Sequence, residues 1–354
     1  MKVKKNYKNI LVFNPAFLGD AVLATPLIKA IRKLFPDAHI TLCVRPENAE
    51  LFIKSDFIDD VLVFDKYYTQ KGLSGFLKFL KILQQHNFDL VFNLHLSIRS
   101  TTIFALLKGA YVVGYSSAVM SFLFDARVKR DWSIHEIERN LKLLSPLCDD
   151  FSLEEAKKLG GKPEIYVDKY IKDKAQSFFK TLLPDKKIVG FFLGSVWPTK
   201  RYPAKYFVQV ANALYEAGYA VCLFGAKGDK EQLDIFMKEF SYPYLDFAYK
   251  TTLYELPAFM ACMDLIIVND TGPMHIAVSV GVPTVTIFGP TAKSLGFVPY
   301  DNVSIVVENN NVTCRPCGKH GGLKCPKKHF KCMLELYPNQ VVNAALTILQ
   351  RDKK

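Results

Sequence analysis

The chain has 354 residues, enough for about two domains. Half of it is hydrophobic and 23% is charged, a balance that excludes a disordered or collagen-like chain. Lys and Arg number 46 against 34 Asp and Glu, a formal +12, which favours anionic partners: phosphates, nucleic acid or an acidic membrane surface.

Met1–Lys5 is basic and precedes an apolar run, the outline of a signal peptide. However, Ile10–Phe13 is too short for its apolar region, and Asn14, Pro15 and Asp20 interrupt the next stretch. The expectation is therefore a buried first strand, Ile10–Asn14, in a cytoplasmic protein. No apolar run approaches the ~18 residues of a membrane span. Ala21–Phe35 has helical spacing and is closed by Pro36. His39–Val44 and Val61–Phe64 read as the second and third strands. Leu73, Phe76, Leu77, Leu80 and Leu83 fall on one helical face. Leu90–Asn93 and Val112–Gly114 are further strands, and Ser133-x-x-Glu136 reads as a capping box opening a helix through Leu144. The Lys-rich stretch Asp168–Lys187 reads as a connector holding a helical segment, Tyr170–Leu182.

The pattern then restarts. Ile188–Leu193 is a strand, Tyr206–Ala217 a helix stopped by Gly218, and Ala220–Phe224 a strand. Leu265–Val268 is a strand, Asp270-Thr271-Gly272-Pro273 opens a helix to Val280, and Thr284–Phe288 is a strand. A last helix is expected from Pro338 to Gln350. Alternating strands and helices predict an α/β protein with parallel sheets. The expected division is an N-terminal domain over 1–167, a connector 168–187, a second domain 188–337 and a terminal helix 338–354. Two such domains place a ligand cleft at the carboxyl ends of their strands.

Glycine-containing turns sit at three strand ends. In Phe17-Leu18-Gly19-Asp20, Asp20 reads either as a helix N-cap or as a carboxylate able to take a proton from a hydroxyl. Gly194-Ser195-Val196-Trp197-Pro198-Thr199-Lys200-Arg201 delivers small residues and two cations into one loop, suited to a phosphate or to a solvated basic loop. In Asn269-Asp270-Thr271-Gly272-Pro273-Met274-His275, Pro273 fits the start of a helix whose N-terminus favours anions. Gly289-Pro290-Thr291 lies one strand later. There is no G-x-G-x-x-G, P-loop, H-E-x-x-H or G-x-S-x-G sequence, which sets nicotinamide, P-loop, metalloprotease and esterase chemistry aside.

Leu18-Gly19-Asp20 with Ala24-Thr25-Pro26, Lys200-Arg201-Tyr202-Pro203, and Asp270-Thr271-Gly272-Pro273-Met274-His275 with Phe288-Gly289-Pro290-Thr291 together resemble the lipopolysaccharide heptosyltransferases of glycosyltransferase family 9. Tyr202 stands where that family usually has Trp. The resemblance runs in the right order over nearly the whole chain. It implies a GT-B fold with two Rossmann-like domains, the first for a lipid-sugar acceptor and the second for ADP-heptose. It also implies inverting transfer that needs no metal or other cofactor. Asp20 would then be the general base. Gly194, Ser195, Lys200, Arg201, Asp270, Thr271, Gly272, Pro273, Met274, His275 and Gly289 would face the donor, with Lys200 on its diphosphate. The tail resembles the enzyme adding the second heptose more than the first.

Gly19 and the residues after Asn93, namely His95, Arg99 and Ser100, are acceptor candidates or else a surface helix face, and so are Arg139 and Asn140. The helix around Leu73–Gln85 carries Lys78 and Lys81, with Lys71 before it. It reads as a core helix or as a peripheral contact with an anionic inner membrane face. Cys43, Cys148, Cys222 and Cys262 read as inert core thiols. Cys314-x2-Cys317-x7-Cys325-x6-Cys332 suggests a zinc site, a reduced loop or conditional disulfides. Rival readings are transfer from another nucleotide sugar, a non-catalytic sugar-nucleotide binder, and a nucleic-acid binder that no motif supports.

Overall fold

A computed structural model of the protein describes residues 1–351. The chain forms two compact units, Met1–Tyr166 and Val167 onward. The first is built on six strands: β1 (Asn9–Phe13), β2 (His39–Val44), β3 (Asp60–Val63), β4 (Leu90–Asn93), β5 (Tyr111–Tyr115) and β6 (Ala126–Val128). All pair in parallel, in the order β3-β2-β1-β4-β5-β6. Ile10 of β1 lies between Ile40 and Leu90. Helices cover both faces of such a sheet, which is why its central strands are continuous apolar runs rather than alternating ones.

The second unit repeats the plan with β7 (Ile188–Phe192), β8 (Ala220–Phe224), β9 (Leu245–Asp246), β10 (Leu265–Asn269), β11 (Thr284–Phe288) and β12 (Ile305–Glu308). Its order, β12-β11-β10-β7-β8-β9, is the same topology. In each sheet the strand order reverses beside the first strand, between β1 and β4 and between β7 and β10. Crevices at the carboxyl ends of these pairs are where such sheets bind ligands.

Several local expectations are corrected. The pattern Ala21–Phe35 forms two helices, Leu18–Leu23 and Thr25–Leu34. Pro26 has no N–H for the Val22 carbonyl, and the Thr25 hydroxyl bonds that carbonyl instead, at 2.8 Å. Asp20 therefore lies in the first turn of its own short helix, and the N-cap is Phe17. The capping box is not formed: the Ser133 hydroxyl donates to Asp131 at 2.6 Å, and the His135 ring caps helix Glu136–Leu141. That helix tightens into a 3₁₀ turn at Lys142.

Helix Gly72–Gln85 buries Gly75, Phe79, Leu80 and Leu83, while Leu73 and Leu77 face solvent with Lys78 and Lys81. Stretch 168–187 is not a free connector. Asp168 caps helix Lys169–Leu182, and Phe179 packs against Phe247 and Phe259 of the same unit. Helix Pro338–Leu349 buries Val341, Ala344, Ala345 and Ile348 in that unit's core, so it is part of the unit rather than an appendage. Cys43, Cys148 and Cys222 are buried, and burial pushes their thiols up.

Candidate functional site

In the second unit, the loops after β7 and β10 are tied together by Asn269. Its amide nitrogen donates to Leu193 O (2.8 Å) and Gly194 O (3.3 Å), and its carbonyl accepts the Tyr202 N–H (3.0 Å). This staple brings Lys200 onto Asp270. The ammonium lies 2.7 Å from the carboxylate and also donates to the Asp270 main-chain oxygen at 3.2 Å. Thr291 donates to the same carboxylate oxygen at 2.6 Å. The side chains of Lys200 and Asp270 are only 13% and 7% exposed. A charged pair this dry needs good geometry to offset desolvation, and the threonine supplies part of it. Thr271 is the N-cap of helix Gly272–Ser279, with Pro273 in its first turn. A lysine and a helix N-terminus thus converge at one strand-order reversal, a favourable place for an anion.

Other expected donor residues have different duties. Arg201 folds back, donating to Ser195 O at 2.9 Å. Met274 is fully buried, so it packs beneath the helix instead of facing a ligand. Gly289 is also a packing position: a Cβ there would fall 2.4 Å from Met333, and its carbonyl accepts from Arg315. His275 is buried in the helix's first turn. A Cβ on Gly194 would fall 1.8 Å from the Asp229 carboxylate. Burial raises the Asp229 carboxyl above its ordinary range, against the Ala226 N–H that bonds it. Sequence reasoning misses Asp229 and the stapling role of Asn269, because both act through burial and no motif flags either duty.

Tyr202 is buried, and its hydroxyl donates to Leu336 O at 2.7 Å. Tyr202→Phe should lower unfolding free energy by about 1–2 kcal/mol by stranding that carbonyl. Urea unfolding checks this, and an unchanged midpoint would show that the bond contributes nothing net.

The cysteine-bearing segment rests on the same loop. Thr199 N–H donates to Gly322 O (3.1 Å), and Gly322 N–H donates to the Thr199 hydroxyl (2.7 Å). Gly321 lies against Trp197 and Lys200, with no room for a Cβ. Arg315 bonds the carbonyls of Gly289, Thr291 and Asn309 and pairs with Glu308 at 2.6 Å. Cys332 is buried among Met333 and Leu336, whereas Cys317 is exposed. Among the described residues, no group of three His, Cys, Asp or Glu side chains is arranged to hold a metal ion, while Cys317, Cys325 and Cys332 of the cysteine segment line one cavity with Thr199 and Pro290.

In the first unit, the turn after β1 is fixed by two buried asparagines. Asn14 donates to Asp20 O at 3.0 Å and Asn48 to Ala16 O at 3.3 Å. This holds Asp20 and Gly19 beyond the carboxyl end of β1. The acceptor candidates after β4 are largely committed elsewhere. Ser100 is buried, bonding Ser97 O at 2.8 Å. Arg99 stacks 5.4 Å from the Phe64 ring and donates to the carbonyls of Gln70 and Gly72. His95 bonds the Ser97 hydroxyl at 2.9 Å; burial, with Lys66 and Arg45 adding, pushes its pKa down to about 4. It is therefore neutral at pH 7 and offers an anion no charge.

His95 also predicts a pH effect. Below its ordinary pKa of about 6.5, the unfolded chain binds a proton that the folded chain takes up only near pH 4. Stability should then fall as pH drops from 6.5 towards 4. His95→Gln should flatten that part of the urea-midpoint profile, and an unaltered slope would refute the assignment.

Arg139 and Asn140, read from the sequence as acceptor candidates or else a surface helix face, are buried. Arg139 pairs with Glu136 at 2.9 Å, and Asn140 joins the Tyr115 hydroxyl (2.7 Å) to Leu23 O (3.3 Å).

A sequence model of glycosyltransferase family 9 (heptosyltransferase) matches residues 76–327. The chain is 28% identical over 350 residues to lipooligosaccharide heptosyltransferase 2 of Campylobacter jejuni, covering 97% of this chain and 99% of that one. It is 24% identical to lipopolysaccharide heptosyltransferase 2 of Escherichia coli K12, covering 80% and 83%. Among solved structures, the family 9 glycosyl transferase of Veillonella parvula superposes with a TM-score of 0.83 at 25% identity, covering 99% of each chain. The E. coli ADP-heptose lps heptosyltransferase II shares the fold, with a TM-score of 0.76 at 21% identity over 98% of this chain and all of that one. The α/β GT-B fold expected from the sequence is the fold observed, and the chain belongs to glycosyltransferase family 9, the heptosyltransferases.

Proposed function

We propose that the protein transfers heptose from ADP-heptose to the inner core of lipopolysaccharide, with inversion and without a metal cofactor. The observation that carries this reading is the buried Lys200–Asp270–Thr291 constellation beside a helix N-terminus at the β7/β10 reversal. The Lys200 ammonium and the N-terminus of helix Gly272–Ser279 are the positive groups that would meet a departing diphosphate there, with Asp270 holding the lysine in place. Asp20 takes the proton of the acceptor hydroxyl as that oxygen attacks the anomeric carbon. The bond from carbon to diphosphate oxygen breaks on the opposite face, and ADP leaves.

The relatives from C. jejuni and E. coli K12 are named as type 2 enzymes, which favours an acceptor already carrying one heptose. No described helix is long and apolar enough to cross a membrane. Exposed Tyr67, Tyr68, Leu73 and Leu77 lie among Lys66, Lys71, Lys78 and Lys81 in the first unit. This supports peripheral contact with the anionic inner face of the cytoplasmic membrane.

The test is ADP release from ADP-heptose with no acceptor, with heptose-free inner-core lipid A, and with the same lipid bearing one heptose. Release only with the last supports the full reading. Release only with the heptose-free lipid moves it to the first heptose. Saturable donor binding without release would refute catalysis, and the absence of both would refute the donor.

A further inference from the structure

The segment from Arg315 to Gly322 grips both loops that shape the surroundings of Lys200. Arg315 is 5% exposed and pairs with Glu308 at the end of β12, at 2.6 Å. Its other donors go to main-chain carbonyls where the chain leaves the sheet. These are Asn309 (3.0 Å) after β12, and Gly289 and Thr291 (2.7 Å) after β11. Two residues on, the Cys317 N–H donates to Pro290 O at 2.8 Å. The carbonyls of three successive residues, Gly289, Pro290 and Thr291, are thus held by one short stretch of chain. At its far end the same stretch reaches the loop after β7. Gly322 exchanges two hydrogen bonds with Thr199, the residue before Lys200. Gly321 packs so closely on the Lys200 stem that a Cβ there would fall 2.9 Å from Lys200 Cγ.

These grips converge on the Lys200 ammonium. Thr291, whose carbonyl Arg315 takes, donates its hydroxyl to an Asp270 oxygen at 2.6 Å, and that same oxygen lies 2.7 Å from the ammonium. Arg315, Thr291, Asp270 and Lys200 therefore form one chain in which every link is at hydrogen-bond distance. A lysine head on a four-carbon stem has many rotamers. Its charge helps a leaving group depart only if it is already in place when the bond breaks. A guanidinium suits the anchoring end, because its rigid fork of donors reaches several acceptors at once and an ammonium does not.

We propose that Arg315 is a positioning residue for the donor site: by fixing the main chain of Gly289–Thr291 it sets Thr291 and Asp270 on Lys200, and so holds the ammonium where the diphosphate binds and departs. This rests on the reading that Lys200 meets the donor diphosphate. Positioning fits Arg315 better than donor binding does, because its donors already face Glu308 and the carbonyls of Gly289, Thr291 and Asn309.

The test is steady-state ADP release and calorimetric binding of ADP-heptose for the wild type, R315K, R315M, E308Q/R315M, K200M and K200M/R315M, with thermal melts of each. R315M should lower kcat/KM for the donor about ten- to a hundredfold, the scale of a small misplacement at a reacting centre. Donor affinity should weaken with it, while the acceptor KM stays put. R315K keeps a charge beside Glu308, so it should melt near the wild type yet regain only part of the donor affinity. Adding R315M to K200M should cost little further. If R315M does not fold, E308Q/R315M, which removes the stranded carboxylate, carries the same comparison: it should be stable and still impaired. A folded R315M with wild-type donor constants would overturn the proposal. So would an undiminished further loss in the K200M background, or an E308Q/R315M enzyme whose donor affinity returns with its stability. A wild type that neither binds nor uses ADP-heptose would remove the donor reading and this proposal with it. An impaired K200M beside an R315M enzyme like the wild type would remove this proposal alone.

Discussion

Replacing Asp20 by Asn is expected to lower kcat by about 10²- to 10⁴-fold, the usual contribution of a general base. The substitution keeps shape and removes only the acceptor of the proton. The main-chain oxygen of Asp20, which Asn14 holds, is untouched, so the short helix should keep its place. Thermal melting should match the wild type. Donor affinity should also hold, because the residues assigned to the donor lie on loops of the other unit. ADP release over time, with equilibrium binding of ADP-heptose in parallel, measures both. A variant retaining near-normal turnover would sink the base assignment.

Lys200→Met should be nearly as severe in rate and more severe in stability. Losing one preorganised charge at a developing anion costs on the order of 10²–10³ in kcat/KM. The same change leaves Asp270 buried, with Thr291 bonded but no cation. Breaking a buried pair from one side costs about 3–5 kcal/mol. The double variant Lys200→Met/Asp270→Asn separates the two effects. It should regain much of the unfolding free energy in urea, because the stranded charge is gone, yet recover no transfer. Recovery of activity along with stability would mean that Lys200 acts only as a structural counter-ion.

The strands that the sequence makes obvious are the central ones. β1, β2, β4, β7, β8, β10 and β11 are apolar runs covered on both faces, and hydrophobicity alone marks them. The edge strands β6, β9 and β12 are hidden because they are short and half-buried, so no run or alternation stands out. The break at Ala24 is written in Pro26, yet the apolar spacing on either side hides it. The site obeys the same logic. Lys200, Asp270 and Asp20 are legible because turn residues flag the ends of strands. The duties of Asn269 and Asp229 are not, because what sets them apart is a buried polar group meeting a partner far away in the chain. Conversely, Ser100, Arg99 and Met274 have suitable chemistry and position, but folding commits their groups to the interior or to carbonyls.

The two sheets share one topology, and within each sheet every pairing is parallel, so no strand meets its neighbour through a tight hairpin. Each pairing waits for a long crossover to close, and such non-local closure slows folding. The order of synthesis eases this. The first sheet is complete once β6 ends at Val128, and helix Leu153–Gly160 is the last to cover it. A nascent chain can therefore finish one sheet before the apolar strands of the other emerge from the ribosome, which limits mispairing between two sets of interchangeable edges.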